Sequence, residues 1–67
     1  MQVFVNGAAH ELTSEPATLA TLLDSLGIEQ TSCATAVNGQ FVARTLRDQT
    51  RLTANDQIMT FEPITGG

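Results

Sequence analysis

The stretch that decides the fold is TLATLLDSLG, residues 18–27. Its leucines recur at the i, i+3, i+4 and i+7 spacing of one helical face, and they are Leu19, Leu22, Leu23 and Leu26. Thr18 is well placed as the N-cap, because its hydroxyl can accept a backbone N–H from the first turn. Gly27 suits the left-handed conformation that ends a helix. The pattern therefore predicts an amphipathic helix that needs an apolar sheet face to cover.

Short alternating segments lie on both sides of this helix. The predicted strands are residues 2–6, 8–13, 34–38, 40–44 and 56–62. Asn6-Gly7 and Asn38-Gly39 separate the first two and the next two, and Asn-Gly is the pair that best tolerates a two-residue hairpin turn. Residues 45–55 are polar without a sustained period, which indicates a loop with at most one helical turn.

The order strand, strand, helix, strand, strand, strand predicts an α+β protein. A mixed sheet of four to five strands around one amphipathic helix satisfies it, and this is the ubiquitin-like β-grasp. In that fold the first and last strands are neighbours, so the chain leaves from the middle of the sheet. We expect residues 1–63 to form the domain and residues 64–67 to be a flexible tail that ends in Gly-Gly.

Composition narrows the function. The net charge is −4, with three arginines and no lysine, which disfavours nucleic acid and anionic membranes as partners. A single cysteine and an N-terminus that enters a strand pattern directly predict a cytoplasmic protein. A chain of 67 residues has little core to spare for a deep catalytic cleft. We therefore expect a binding module or carrier and not an enzyme.

Isolated reactive side chains offer no catalytic or metal site and no site for a bound cofactor. His10 stands alone, whereas a metal site needs several ligands. Cys33 has no Lys, Arg or His nearby in sequence to lower its pKa, so a small residue at the edge of the third strand is expected. Solvated charges are the default for Arg44, Arg47 and Arg51, with a weak basic edge as the alternative.

The sequence ends Glu62-Pro63-Ile64-Thr65-Gly66-Gly67. Pro63 cannot donate to a neighbouring strand, so sheet pairing is expected to fade there. Glycines lack Cβ atoms and can enter a narrow channel in another protein, with Ile64 and Thr65 threading behind them. The Gly67 carboxylate could then attack the α-phosphorus of ATP and become an acyl adenylate, which a persulfide converts to a thiocarboxylate. The alternative is an ordinary frayed end.

The chain resembles the ThiS family of bacterial sulfur carriers over essentially its whole length. The matching segments are MQVFVNG (1–7), TLATLL (18–23), AVN (36–38), VAR (42–44), DQI (56–58), Phe61 and the final Gly66-Gly67. The family often has a proline where Ala43 stands and an aromatic residue shortly after Arg44. This chain has neither, which puts the 45–55 connection in doubt.

The resemblance implies a sulfur carrier for thiamin thiazole synthesis. An E1-like adenylyltransferase of the ThiF type would activate Gly67 with ATP and magnesium. A cysteine desulfurase or another persulfide donor would supply sulfur indirectly, and a thiazole synthase of the ThiG type would accept it. The alternatives are a carrier of the molybdopterin synthase small-subunit type and a ubiquitin-like protein modifier.

Partners need a surface to grip. Strand alternation places Phe4, Met59 and Phe61 on the sheet face away from the helix, and neighbouring first and last strands would bring them together. An exposed apolar cluster on a small domain usually marks an interface. The alternative is a set of isolated surface side chains.

Overall fold

Helix α1 spans Leu19–Ser25 in the computed structural model, which describes residues 1–13 and 17–62. The Thr18 hydroxyl accepts the Thr21 N–H at 3.2 Å, and the Thr21 hydroxyl accepts the Thr18 N–H at 2.9 Å. This reciprocal pair is a capping box with threonine in the place usually held by Glu or Gln. Gly27 follows with φ +72°, the left-handed conformation predicted for it. The predicted helix is confirmed.

Five strands surround the helix in sequence, and each is shorter than the segment predicted for it. They are β1 (Gln2–Val5), β2 (Ala8–Glu11), β3 (Ala34–Val37), β4 (Gln40–Val42) and β5 (Gln57–Phe61). Asn6 and Gly7 both have positive φ, as do Asn38 and Gly39. Two successive positive φ values are the signature of the type I′ turn, so each Asn-Gly pair forms the predicted hairpin.

The strands form a single mixed sheet in the order β2-β1-β5-β3-β4. β1 and β5 are parallel, with Val5 beside Ile58, and the other pairs are antiparallel. β5 therefore lies at the centre of the sheet, between the first strand and the third. This is the β-grasp arrangement expected from the element order.

The core lies between α1 and one face of the sheet. Its buried members are Val3, Val5, Leu19, Leu22, Leu23, Leu52 and Ile58. Each leucine or isoleucine buried in this way contributes about 1.5–3 kcal/mol. Leu26 packs against the cluster from the end of the helix and is only partly buried, as is Leu12, which follows β2.

Residues 45–55 contain more structure than their polar pattern indicates. A 3₁₀ helix spans Arg44–Gln49, and Leu52 is buried behind it. The Leu52 N–H donates to the Ala17 carbonyl at 2.9 Å, which draws this segment against the start of α1. Periodicity missed the burial of Leu52 because the two leucines of this polar stretch, Leu46 and Leu52, are six residues apart and set no period.

The expectation that Arg47 is a solvated charge is wrong. Its side chain is 1% exposed, whereas Arg44 and Arg51 are exposed. Backbone carbonyls and a hydroxyl surround its guanidinium, an arrangement that only the folded chain assembles. Cys33 is buried immediately before β3, and His10 is half-buried on β2.

Candidate functional site

β5 is the last strand before the predicted tail, so its end is the first feature of the candidate site. Phe61 is the last residue of the strand, and Glu62 follows it. Beyond the backbone pairing of β1 with β5, the Asn6 side chain continues the contact. Its carbonyl oxygen accepts the Thr60 N–H at 3.0 Å, and its amide donates to the Thr60 hydroxyl at 2.9 Å. On the β1 side, the last contact with β5 is therefore made by a side chain, whereas β3 remains paired with β5 as far as Phe61.

The predicted tail lies outside the described residues. This applies to the residue expected to carry the chemistry, Gly67, and to the three expected to thread it, Ile64, Thr65 and Gly66. Pro63 and the connection at 14–16 fall in the same category. The described part of the candidate site is the surface around the end of β5.

An apolar surface covers the sheet face opposite α1. Ala36 lies directly beside Phe41 of β4 on one side and Met59 of β5 on the other, and Ala34 lies beside Phe61. Phe41 is 72% exposed, Met59 is 45% exposed and Phe61 is 49% exposed. Ala36 is buried between its neighbours. We call Phe41, Met59 and Phe61 the outer-face patch. Large exposed side chains around a buried alanine form a surface on which an apolar side chain of another protein can pack.

The patch differs in one member from the set predicted from sequence. Phe4 lies on the same face, but its register partner on β5 is Gln57, so it is four residues, about 13 Å, from Phe61 along the strands. Met59 lies between them. Phe4 is also half-buried. The predicted trio therefore forms an elongated line, with Phe4 at the far end.

Phe41 is the residue that sequence reasoning missed. The signal was present, because a two-residue turn at Asn38-Gly39 pairs Val37 with Gln40 and therefore Ala36 with Phe41. Val37 faces the core, so its neighbour Ala36 and the paired Phe41 must face outward.

A cleft of about 340 Å³ opens beside the end of β5. Phe61 and Glu62 form one wall. The rest of its lining is the run Thr31, Ser32, Cys33 and Ala34, of which Ala34 is paired with Phe61. Thr31 and Ser32 are exposed and belong to a short 3₁₀ helix, Gln30–Ser32, that leads into β3. Phe61 belongs both to the cleft and to the outer-face patch. The two therefore form one continuous surface next to the end of β5.

A carboxylate organises the opposite end of β5. Asp56 is buried, and its oxygens accept the Thr53 N–H at 2.8 Å, the Thr53 hydroxyl at 2.9 Å and the Asn38 amide at 3.0 Å. Burial raises the pKa of the Asp56 carboxyl, but these hydrogen bonds outweigh burial and hold the pKa below its ordinary value. The side-chain carbonyl oxygen of Asn38 also accepts the Gln57 N–H at 2.9 Å, so the β3–β4 turn is bonded to the start of β5.

Two further properties concern the described part of the chain. Among residues 1–13 and 17–62, no group of three or more His, Cys, Asp or Glu side chains is arranged to hold a metal ion. Within the same residues, no helix has the length and apolar character that crossing a membrane requires.

Comparison with known families and structures gives a consistent result. The model of the ThiS family matches residues 3–67. A crystal structure of the thiamine biosynthesis protein (ThiS) from Geobacter metallireducens is similar with a TM-score of 0.84 at 23% sequence identity, and the alignment covers 100% of each chain. That likeness establishes the fold.

A solution NMR structure of a thiamine biosynthesis protein from Geobacter metallireducens is also similar. Its TM-score is 0.77 at 25% identity, and the alignment covers 100% of this chain and 88% of the other. No match was found among curated proteins.

Proposed function

This chain belongs to the ThiS family, whose members are small sulfur carriers, and on that premise we propose that its loaded group is the α-carboxylate of Gly67. The proposed pathway is the synthesis of the thiazole ring of thiamin. In this proposal the protein is a substrate passed between enzymes and is not itself a catalyst.

The observation that carries the proposal is the central position of β5. The strand next to the predicted tail is paired with β1 near its start and with β3 as far as Phe61, so the residues after Glu62 follow a strand that the sheet holds firmly. Five residues, 63–67, can extend about 17 Å beyond that point. The family match runs through residue 67, which supports Gly67 as the working terminus. Gly66 and Gly67 have no Cβ, so both fit a narrow channel, with Ile64 and Thr65 filling its entrance.

The proposed chemistry proceeds in three steps. A carboxylate oxygen of Gly67 attacks the α-phosphorus of ATP, pyrophosphate leaves, and an acyl adenylate forms. The terminal sulfur of a persulfide then attacks the acyl carbon and displaces AMP, which gives an acyl disulfide. A thiol finally cleaves the S–S bond, leaving a thiocarboxylate on Gly67 and a new disulfide on the donor side.

The partners follow from these steps. An E1-like adenylyltransferase of the ThiF type would supply the ATP and magnesium site, and a cysteine desulfurase or other persulfide source would supply sulfur. A thiazole synthase of the ThiG type would receive it. Since the first step consumes ATP, we expect the protein to act in the cytoplasm.

We further propose that these partners grip the outer-face patch together with Phe4. The patch adjoins the end of β5, so a protein seated on it would be positioned to take up the tail. Its exposed aromatic and methionine side chains are of the types enriched in interface cores.

The test is an intact-mass measurement. The protein is incubated with a ThiF-type adenylyltransferase, ATP, magnesium and a persulfide source. The expected result is a mass gain equal to the exchange of one oxygen for one sulfur. A variant that lacks Gly67 is the matched control and should gain nothing.

Equal gain by the shortened variant, or no gain by the full chain, would contradict the proposal. Attachment to lysine side chains of other proteins would favour the ubiquitin-like modifier. Sulfur acceptance by thiazole synthase, and not by the large subunit of molybdopterin synthase, would separate the two carrier pathways.

A further inference from the structure

Arg47 is the largest fully buried side chain among the described residues. A buried cation is costly unless its donors are satisfied. The salt bridge formed within residues 1–13 and 17–62 joins the N-terminus to Glu11, so Arg47 is held there by neutral oxygens and not by a carboxylate. Arg47 is one of only three Lys or Arg side chains in the protein, and its burial requires an explanation.

The guanidinium joins segments that are distant in sequence. Nε donates to the Thr35 hydroxyl at 3.1 Å. One terminal nitrogen donates to the backbone carbonyl of Gln30 at 2.7 Å, and the other donates to the backbone carbonyl of Cys33. Thr35 in turn donates to the Val42 carbonyl at 3.0 Å. Arg47 therefore connects its own 3₁₀ helix to the Gln30–Ser32 turn, to β3 and, through Thr35, to β4.

Two of these contacts bracket the wall of the cleft. Gln30 and Cys33 flank the Thr31-Ser32 pair, which lines the cleft together with Phe61 and Glu62. From the other side, the Gln30 amide donates to Asp24 of α1 at 2.9 Å and to the Ala20 carbonyl at 3.3 Å. The wall is thus fastened between α1 and Arg47. A lysine could not reproduce this, since an ammonium is a compact charge without the planar fork that spans three acceptors.

We propose that Arg47 is a positioning residue for tail activation, which holds the Thr31-Ser32 wall so that the adenylating partner can pack into the cleft beside Glu62. This inference rests on the proposed function. A protein that receives the tail must pass close to Glu62, because only four residues lie between Glu62 and Gly67. The cleft begins at that residue, and its lining includes an exposed aromatic side chain suited to an apolar contact.

Two variants test the inference in an adenylation assay with a ThiF-type enzyme, ATP and magnesium. Arg47→Met removes the three donors and frees the wall. Thr31→Leu leaves Arg47 intact and narrows the cleft from an exposed position. Each variant should raise the KM for the carrier about tenfold, the loss typical of one good interface side chain, with kcat unchanged. Arg51→Met is the charge-matched control, and it should keep the KM of the unmodified protein.

The outcomes separate this inference from the proposed function. If the unmodified protein is not adenylated, the proposed function fails. If it is adenylated and Thr31→Leu has an unchanged KM, the inference alone is overturned, whether or not Arg47→Met folds. A folded Arg47→Met with an unchanged KM overturns it as well. A fall in kcat at constant KM in either variant also contradicts the inference, because a docking wall acts on binding.

Discussion

Two buried charges lie at opposite ends of β3, and they are held in different ways. Asp56, at the end near Asn38, takes hydrogen bonds from a turn residue three positions away and from that asparagine. Arg47, at the end near Cys33, reaches across four segments. The anion thus closes a local turn where β5 begins, whereas the cation connects distant parts of the chain where β5 ends. The end near the predicted tail has the more extensive bracing.

The largest effect on stability is expected from Arg47→Met. The substitution leaves the part-buried backbone carbonyl of Gln30 and the buried one of Cys33 without their donor, and the loss of a buried partner costs about 1–3 kcal/mol. We expect the free energy of unfolding in urea to fall by about 3 kcal/mol. Arg51→Met removes the same charge from an exposed site and should change it by less than about 0.5 kcal/mol. Equal losses for the two variants would show that net charge, and not bracing, is responsible.

A smaller and pH-dependent effect is expected from Asp56→Asn. At pH 7 we expect a loss of about 1–2 kcal/mol, because the hydrogen bonds to a charged acceptor are replaced by weaker ones. The folded pKa of Asp56 lies below the unfolded value, so its contribution is present above the unfolded pKa and disappears as the pH falls through the folded one.

Urea unfolding as a function of pH measures this contribution. The difference between the unmodified protein and Asp56→Asn should therefore shrink as acid is added below about pH 4. Asp48→Asn, at an exposed site, is the control and should show little difference at any pH. A gap that stays constant into acid would mean that the Asp56 charge does not matter.

The smallest effect on stability is expected from a substitution in the outer-face patch. Phe41→Glu alters a side chain that is 72% exposed, so the free energy of unfolding should change by less than about 0.5 kcal/mol. Binding to the adenylating partner should weaken about tenfold, because an apolar wall of the patch becomes charged. Isothermal titration calorimetry of the protein with its partner measures this affinity.

Gln40→Glu is the matched control for Phe41→Glu. It adds the same charge at the exposed neighbour of Phe41 on β4, whose side chain lies on the other face of the sheet because its register partner Val37 packs against the core. Its affinity for the partner should remain close to that of the unmodified protein. Similar weakening by both variants would point to general charge repulsion and would remove the argument for a defined patch.

What the sequence could predict was local. The leucine spacing of α1, the threonine cap and the two Asn-Gly turns depend on residues a few positions apart, and the structure confirms them. The β-grasp order followed from these elements. Arg47 and Leu52 could not be placed in the same way, because the partners that bury them come from other segments and no short pattern records those contacts. The tail residues predicted as the loaded site remain a prediction from sequence.

The pairing of β5 on both sides has a mechanical consequence. A partner that pulls on the chain beyond Glu62 applies its load along β5, parallel to the strand axis. The backbone bonds to β1 and β3 lie across that direction, so they are sheared together and do not open one after another. An edge strand could be peeled away bond by bond under the same tension. We therefore expect the domain to remain folded under a pull of this kind.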